Sequence, residues 1–263
     1  MLIQPSVTVI IPFKNNIEYL FLAINSIFNQ SYKNYKITII YDNEDKTDLK
    51  KIKKFLKSKF KKKEKLVKIV INKKNLGAGN SRNIGIKKCN TKYIAFLDSD
   101  DLWKKNKLKI QIDYMEKNNQ VFSHTSYEII NEENKLISSN TAKLKISFDE
   151  LVNSCDIGLS TVILNTKFMK KNNYFFPKIK TKEDFVLWLK IGKKIKFMSG
   201  INKKLTSYRK VSNSLSSNKL ISIINGYKVY RNYMNYSKLK SIYFLFILSI
   251  NSIKKNYFKN KLN

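Results

Sequence analysis

Four runs of contiguous apolar residues punctuate the first hundred positions: "VTVII" (7–11), "YKITIIYD" (35–42), "LVKIVI" (66–71) and "KYIAFLD" (92–98). They lack the in-out alternation of a strand with one wet face, so each reads as a strand covered on both sides. Between them lie segments of helical spacing. "IEYLFLAINSIFNQ" (17–30) is one, "DLKKIKKFLKSKF" (48–60) is amphipathic with a lysine face, and "AGNSRNIGIKKC" (78–89) opens from a glycine-containing turn. A β-α-β-α-β-α-β order of buried strands implies a parallel sheet with helices on both faces. Ligands of such sheets bind outside the C-terminal strand ends. Here those ends carry Pro12-Phe13-Lys14, Asp42 and the run from Asp98 to Asp101.

The second half is less regular. "LKIQIDYMEKN" (108–118) reads as a helix, "QVFSHTSYEII" (120–130) as a strand, and "SFDELVNSC" (147–155) as a helix with the capping-box pair Ser147 and Glu150. "TKEDFVLWLKIG" (181–192) reads as a helix capped by Thr181, and the chain from Ser216 onward as mostly helical, basic and aromatic. The 263 residues therefore divide into two halves of one domain (1–101 and 102–215) and a helical C-terminal extension (216–263).

Charge narrows the partners. Lys+Arg number 52 against 19 Asp+Glu, a net +33, but only Arg82, Arg209 and Arg231 are arginine. Lysine, asparagine and isoleucine are all abundant, as an AT-rich coding sequence would make them, and the lysines run along the whole chain. That favours coding bias with weak attraction to anionic membranes over nucleic-acid binding, which clusters basic residues on one face. With one histidine and two separated cysteines, Cys89 and Cys155, no zinc constellation forms. Lone thiols fit a reducing cytosol. "MLIQPSVTVIIPF" lacks a signal-peptide pattern, and "IYFLFILSI" (242–250) falls far short of the ~20 residues that span a bilayer.

Against that basic background, four clusters carry chemistry. Asp98, Asp100 and Asp101 crowd the end of the fourth strand. Alternate carboxylates there can converge on Mg²⁺ or Mn²⁺, which keep waters and bind phosphates. Capping of the next helix is the competing explanation, but it uses one or two acids, not three. "NLGAGNSRNIG" (75–85) offers close backbone approach, a helix N-terminus and Arg82 to an anion, or is a plain turn. Glu183-Asp184 either complements a helix dipole or supplies a general base. "LTSYRKVSNSLS" (205–216) is a lid or a surface turn. His124, in a strand, reads as structural.

Taken in order, "VTVIIPFKN", "ITIIYDNEDKTD", "NLGAGNSRNIGIKKCNTKYIAFLDSDDLW", "KTKEDFVLWLKI" and "SYRKVSNSLS" resemble the successive motifs of a family 2 glycosyltransferase with the GT-A fold, over roughly 5–216. The resemblance implies a mostly parallel, Rossmann-like sheet and inverting transfer from a nucleotide-sugar donor, usually a UDP-sugar, to a saccharide or lipid-linked acceptor in surface-glycan synthesis. It implies Asp98 and Asp100 as a DxD motif holding Mg²⁺ or Mn²⁺, and Pro12, Asp42, Arg82, Asp98 and Ser99 as donor-binding residues. Asp184 falls at the catalytic base, and Asp101 is left to cap the next helix. "YDNEDKTD" departs from the usual glycine-containing form of its motif, and no QxxRW signature follows Asp184, which points to a non-processive enzyme. A non-catalytic nucleotide-binding relative is the remaining alternative. The tail 238–260 places apolar and aromatic residues between lysines. It either lies on an anionic membrane, as in a cytoplasmic peripheral enzyme, or packs on the domain.

Overall fold

The computed structural model describes residues 5–61, 63–212 and 219–260. The four expected strands form as β1 (Val7–Phe13), β2 (Tyr35–Tyr41), β3 (Val67–Ile71) and β4 (Tyr93–Phe96), alternating with α1 (Ile17–Phe28), α2 (Thr47–Lys59) and α3 (Ala78–Lys88). They pair in parallel in the order β3-β2-β1-β4. Burial explains the lack of alternation. On β1, Val7, Val9, Ile11 and Phe13 join one apolar cluster with α1 and α2, while Ile10 faces the opposite cluster with Ile86 of α3.

The second half continues the same sheet. β5 (Leu102–Trp103) is followed by α4 (Lys107–Lys117), β6 (Phe122–Ile130), β7 (Leu136–Asn140), β8 (Lys145–Ile146) and α5 (Phe148–Asn153). Then come β9 (Ile163–Asn165), α6 (Thr166–Lys171), α7 (Glu183–Gly192) and the long β10 (Met198–Arg209). The sheet runs on from β4 as β9-β6-β10-β5, with β7 beside β6 and β8 beside β10. Pairing here is mixed: β9 is antiparallel to both β4 and β6, while β6 and β10 are parallel. α4 joins the α1/α2 face; α5, α6 and α7 cover the other, where Phe185, Trp188, Leu189 and Ile191 of α7 are fully buried.

Several local expectations change. Thr181 does not cap α7. Lys182 takes that position in a left-handed conformation (φ 66°), and the Thr181 hydroxyl instead accepts a hydrogen bond from buried Asn225. Asp101 does not cap α4 either: that helix starts from Asn106, several residues on. Arg209 lies neither in a lid nor on a surface turn but at the buried end of β10, and residues 213–216 of that stretch lie outside the described residues. Ser147 and Glu150 do form the capping box. His124 is buried in β6.

Beyond β10 follow α8 (Lys219–Lys228), a π-helical turn (Val229–Tyr233) and α9 (Lys238–Asn260); residues 216–218 and 261–263 lie outside the described residues. Ser241, Phe244, Leu245 and Leu248 of α9 face the domain, and Asn251 donates to the Asn153 carbonyl of α5 at 2.9 Å. Among the described residues, no helix is long and apolar enough to cross a membrane.

Seating of α3 on β1 depends on Gly85, where an added Cβ would lie 2.6 Å from Cγ2 of the fully buried Ile10. Gly85→Ala is expected to destabilise the fold by about 1–3 kcal/mol, read as a lower urea midpoint. An unchanged midpoint would show that α3 does not pack this closely.

Candidate active site

The C-terminal edge of β1–β4 gathers the polar residues. Asp42, just past β2, is buried, and its carboxylate is fully engaged. It accepts from the Leu76 and Gly77 amides, both at 2.8 Å, and from Asn72 Nδ2 at 2.7 Å. Asp42 thus ties the loop before α3 to the sheet. Gly77 ends that loop with φ 82°, a conformation that suits glycine. Pro12 lies on β1 opposite Ile40 of β2, at the same edge.

α3 then presents Arg82 inward rather than to solvent. Its guanidinium is buried and bridges two acids from distant parts of the chain: Nη2 to Asp98 Oδ1 at 2.6 Å and Nη1 to Glu183 Oε1 at 2.8 Å. The guanidinium also lies over the Phe176 ring, 5.3 Å from its centroid. Burial alone would pull this group down, but Asp98 and Glu183 outweigh it and hold it above its ordinary value, a fixed positive charge. An added Cβ at Gly79, one turn earlier, would lie 3.2 Å from Glu183 Cγ, so α3 and the start of α7 nearly touch.

After β4 the chain turns through Asp98-Ser99-Asp100-Asp101, closed by the Asp101 amide donating to the Asp98 carbonyl at 3.1 Å. Asp101 is buried and accepts from the Arg209 amide at 2.9 Å. Burial first, then Asp100 and Asp98, hold its carboxyl well above the usual carboxylate range, against hydrogen bonds from Ser160 and Arg209. Its role is to anchor this turn to β10. Arg209 reinforces the anchor: Nε donates to the Asp100 carbonyl at 2.9 Å, and its other nitrogens reach Asn131, Glu132 and Asn134.

Ser160, in the short 3-10 turn Leu159–Thr161, locks the same loop from the opposite side. Its hydroxyl accepts from the Asp98 amide at 3.0 Å, and its carbonyl accepts from Trp103 Nε1 at 2.8 Å. Buried Lys107 and Gln111 of α4 donate to the neighbouring Thr161 carbonyl. Nothing in "DIGLSTVI" signals this role, since one Ser-Thr pair in a mostly apolar stretch has no pattern of its own. Sequence reasoning likewise missed Asn72 and the partnership of Glu183 with Arg82.

Asp98 therefore lies within electrostatic reach of both Asp100 and Asp184. Asp98 keeps 29% of its side chain exposed. Burial and then the Asp98 charge push Asp100 up to about 6. Burial and then Glu183 push Asp184 to about 6 as well. No group of three or more His, Cys, Asp or Glu positioned to hold a metal occurs among the described residues. Two crowded carboxylates, one with a proton affinity raised by the other, still fit a hard divalent cation that takes its remaining ligands from phosphate and water.

Ligands of parallel α/β sheets bind at the carboxyl ends of the strands, where these acids gather and where Arg82 ties Asp98 to Glu183 of α7. The Glycosyl transferase family 2 model matches residues 8–206, and the chain belongs to that family. It is 35% identical over 215 residues to the Escherichia coli UDP-Glc:alpha-D-GlcNAc-diphosphoundecaprenol beta-1,3-glucosyltransferase WfgD, covering 81% of this chain and 80% of that one. It is 30% identical over 230 residues to the Bacillus subtilis putative teichuronic acid biosynthesis glycosyltransferase TuaG, covering 87% and 88%. It is 40% identical over 207 residues to an uncharacterized glycosyltransferase of Rickettsia bellii, of whose length it spans 28% against 77% of its own. Among solved structures, Staphylococcus aureus TarS 1–349 in complex with UDP-GlcNAc superposes with a TM-score of 0.71 at 19% identity, over 91% of this chain and 70% of that one. That likeness shows the GT-A fold.

Asp184 titrates with a folded value above the unfolded one, so the folded state holds its proton more tightly. The resulting stability is complete below the ordinary value of 3.8 and is lost as pH rises through about 6. Asp184→Asn is expected to flatten that fall and to stabilise the protein at pH 8 by about 1–2 kcal/mol. Urea denaturation across pH checks it; parallel wild-type and variant curves would mean that Asp184 is freely solvated.

Proposed function

We propose that this chain transfers a sugar from a nucleoside-diphosphate sugar of the UDP class to a hydroxyl of a saccharide or lipid-linked acceptor, with inversion, in surface-glycan synthesis. The observation that carries the reading is the bridge made by buried Arg82, which ties Asp98 of the acidic turn to Glu183, the neighbour of Asp184. The glucosyltransferase WfgD and the putative teichuronic acid biosynthesis glycosyltransferase TuaG, both similar to this chain, agree with it.

In this mechanism Asp184 takes the proton of the acceptor hydroxyl, which attacks the anomeric carbon on the face opposite the leaving diphosphate. Its raised proton affinity, about 6, leaves it ionised at neutral pH yet a better base than an exposed carboxylate. Arg82 keeps Asp98 oriented and supplies fixed positive charge beside the diphosphate. Pro12 and Asp42 frame the nucleoside side of the crevice, and Ser99 lies in the turn that faces the diphosphate. Asp98 and Asp100 would hold Mg²⁺ or Mn²⁺; when bound, such an ion offsets the charge of the leaving group.

The same proposal places the protein at the cytoplasmic membrane surface. α9 is apolar on two sides. One stripe is packed inward, while Leu239, Ile242, Tyr243, Phe246 and Ile253 form a second, exposed stripe, continued on α8 by Leu220, Ile223 and Ile224. No acidic residue follows Asp184, and the last 79 residues carry 17 Lys+Arg. An exposed apolar stripe ringed by cations fits an anionic bilayer.

Two measurements test this. With a UDP-sugar panel and Mn²⁺, Asp184→Asn is expected to lower turnover by roughly 10²–10⁴-fold, and Asp100→Asn to weaken metal-dependent donor binding. Full turnover in both variants removes the site assignment, and absence of any nucleotide-sugar binding removes the enzyme reading. In flotation with phosphatidylglycerol-containing vesicles, Ile242→Glu with Phe246→Glu should release the protein. Equal flotation of variant and wild type would take the helical pair out of the membrane account.

A further inference from the structure

Two tyrosines meet on the adjacent strands β6 and β10. Tyr208, on β10, is 39% exposed although its neighbours Ser207 and Arg209 are buried. Its ring meets that of Tyr127 on β6 edge to face, with centroids 6.2 Å apart and planes at 66°. The Tyr127 hydroxyl accepts from Asn140 Nδ2 of β7 at 3.1 Å. Tyr208 precedes Arg209, whose amide donates to Asp101 at 2.9 Å, so the pair lies beside the acidic turn. Burial first, then Asp101, Asp100 and Asp98, push the Tyr208 phenol up. Burial, with Asp101 and Asp184 among the weaker causes, pushes Tyr127 to about 12. Tyr127 thus lies within electrostatic reach of the proposed base and of the acidic turn alike.

We infer that Tyr208, Tyr127 and Asn140 form the acceptor subsite and take a pyranose ring, its C–H face on Tyr208 and its hydroxyls toward the Asn140 amide. The inference rests on the transferase reading above and deepens it. The tyrosine pair stands beside the acidic turn to which the donor diphosphate is assigned. The chemistry fits a sugar rather than a peptide or a nucleobase. A half-exposed aromatic face offers apolar contact to ring C–H bonds, while an amide and a phenol offer neutral donors and acceptors to hydroxyls. A structural pair would need no solvent-facing ring: Tyr208 leaves over a third of its surface to water next to three carboxylates.

The experiment is saturation-transfer NMR on the full chain with UDP, Mn²⁺ and a panel of methyl glycosides of glucose, galactose and N-acetylglucosamine. Acceptor KM is measured in parallel with the glycoside that binds best. Wild-type protein should saturate ring C–H protons of at least one glycoside. Tyr208→Ala should lose that signal and raise acceptor KM by about tenfold with a smaller change in kcat, while Tyr208→Phe, which keeps the ring, should retain both. Thermal melts show that each variant is folded. Equal acceptor KM in wild type and Tyr208→Ala overturns the subsite, as does the absence of any glycoside signal from wild type. Donor hydrolysis by wild type without acceptor is the separate arm. If the donor is hydrolysed while the tyrosine results fail, only the subsite falls. If no donor is hydrolysed or bound, the transferase reading falls with it.

Discussion

A buried guanidinium holds this molecule's two halves in register. Arg82 sits on a helix of the first half, grips Asp98 at the end of the fourth strand, and grips Glu183 at the head of a helix about a hundred residues later. Removing a cation from water is costly, and two carboxylates with good geometry offset that cost. The price of losing Arg82 would be two acids facing each other in a desolvated crevice with no counter-charge. Placement of Asp184 next to Glu183, and of the acidic turn next to Asp98, follows from that one bridge.

Around it the protein concentrates negative charge that its own composition opposes. Asp100, Asp101 and Asp184 all have raised proton affinity, and in each case burial is the leading cause. Such crowding destabilises the fold above about pH 6 in the absence of ligand, and it is the condition under which a divalent cation and a base near neutrality become favourable. The three acids of the turn divide the work. Asp101 is structural, tied to the Arg209 amide and buried, while Asp98 and Asp100 stay partly accessible.

Much of the first half was legible because its signals are local. Continuous apolar strands, helical spacing and a glycine turn predicted β1 to β4 and their helices to within one or two residues at most ends. The second half resisted for physical reasons. β10, "MSGINKKLTSYR", carries exposed Asn202, Lys203 and Lys204 in mid-strand, so it has no apolar period to read. Its pairing with β6 shifts register twice at that point. β5, β8 and β9 are two or three residues long and exist only because the sheet recruits them. Arg209 was conspicuous by rarity, yet its burial could not be read, since it depends on the loops 131–134 and the acidic turn closing around it.

By itself the sequence determined the alternating α/β order, the strand ends where the acids gather, the motif set of a family 2 glycosyltransferase, and the acids proposed to carry its chemistry. These depend on residue type and short spacing. Only the tertiary structure decided which acid does what. Asp101 became an anchor, Glu183 the partner of Arg82, Ser160 a lock on the turn, and the C-terminal helix a strut with one face left bare. Each of those outcomes depends on a contact between residues far apart in the chain, and no local pattern encodes which distant groups will share a desolvated space.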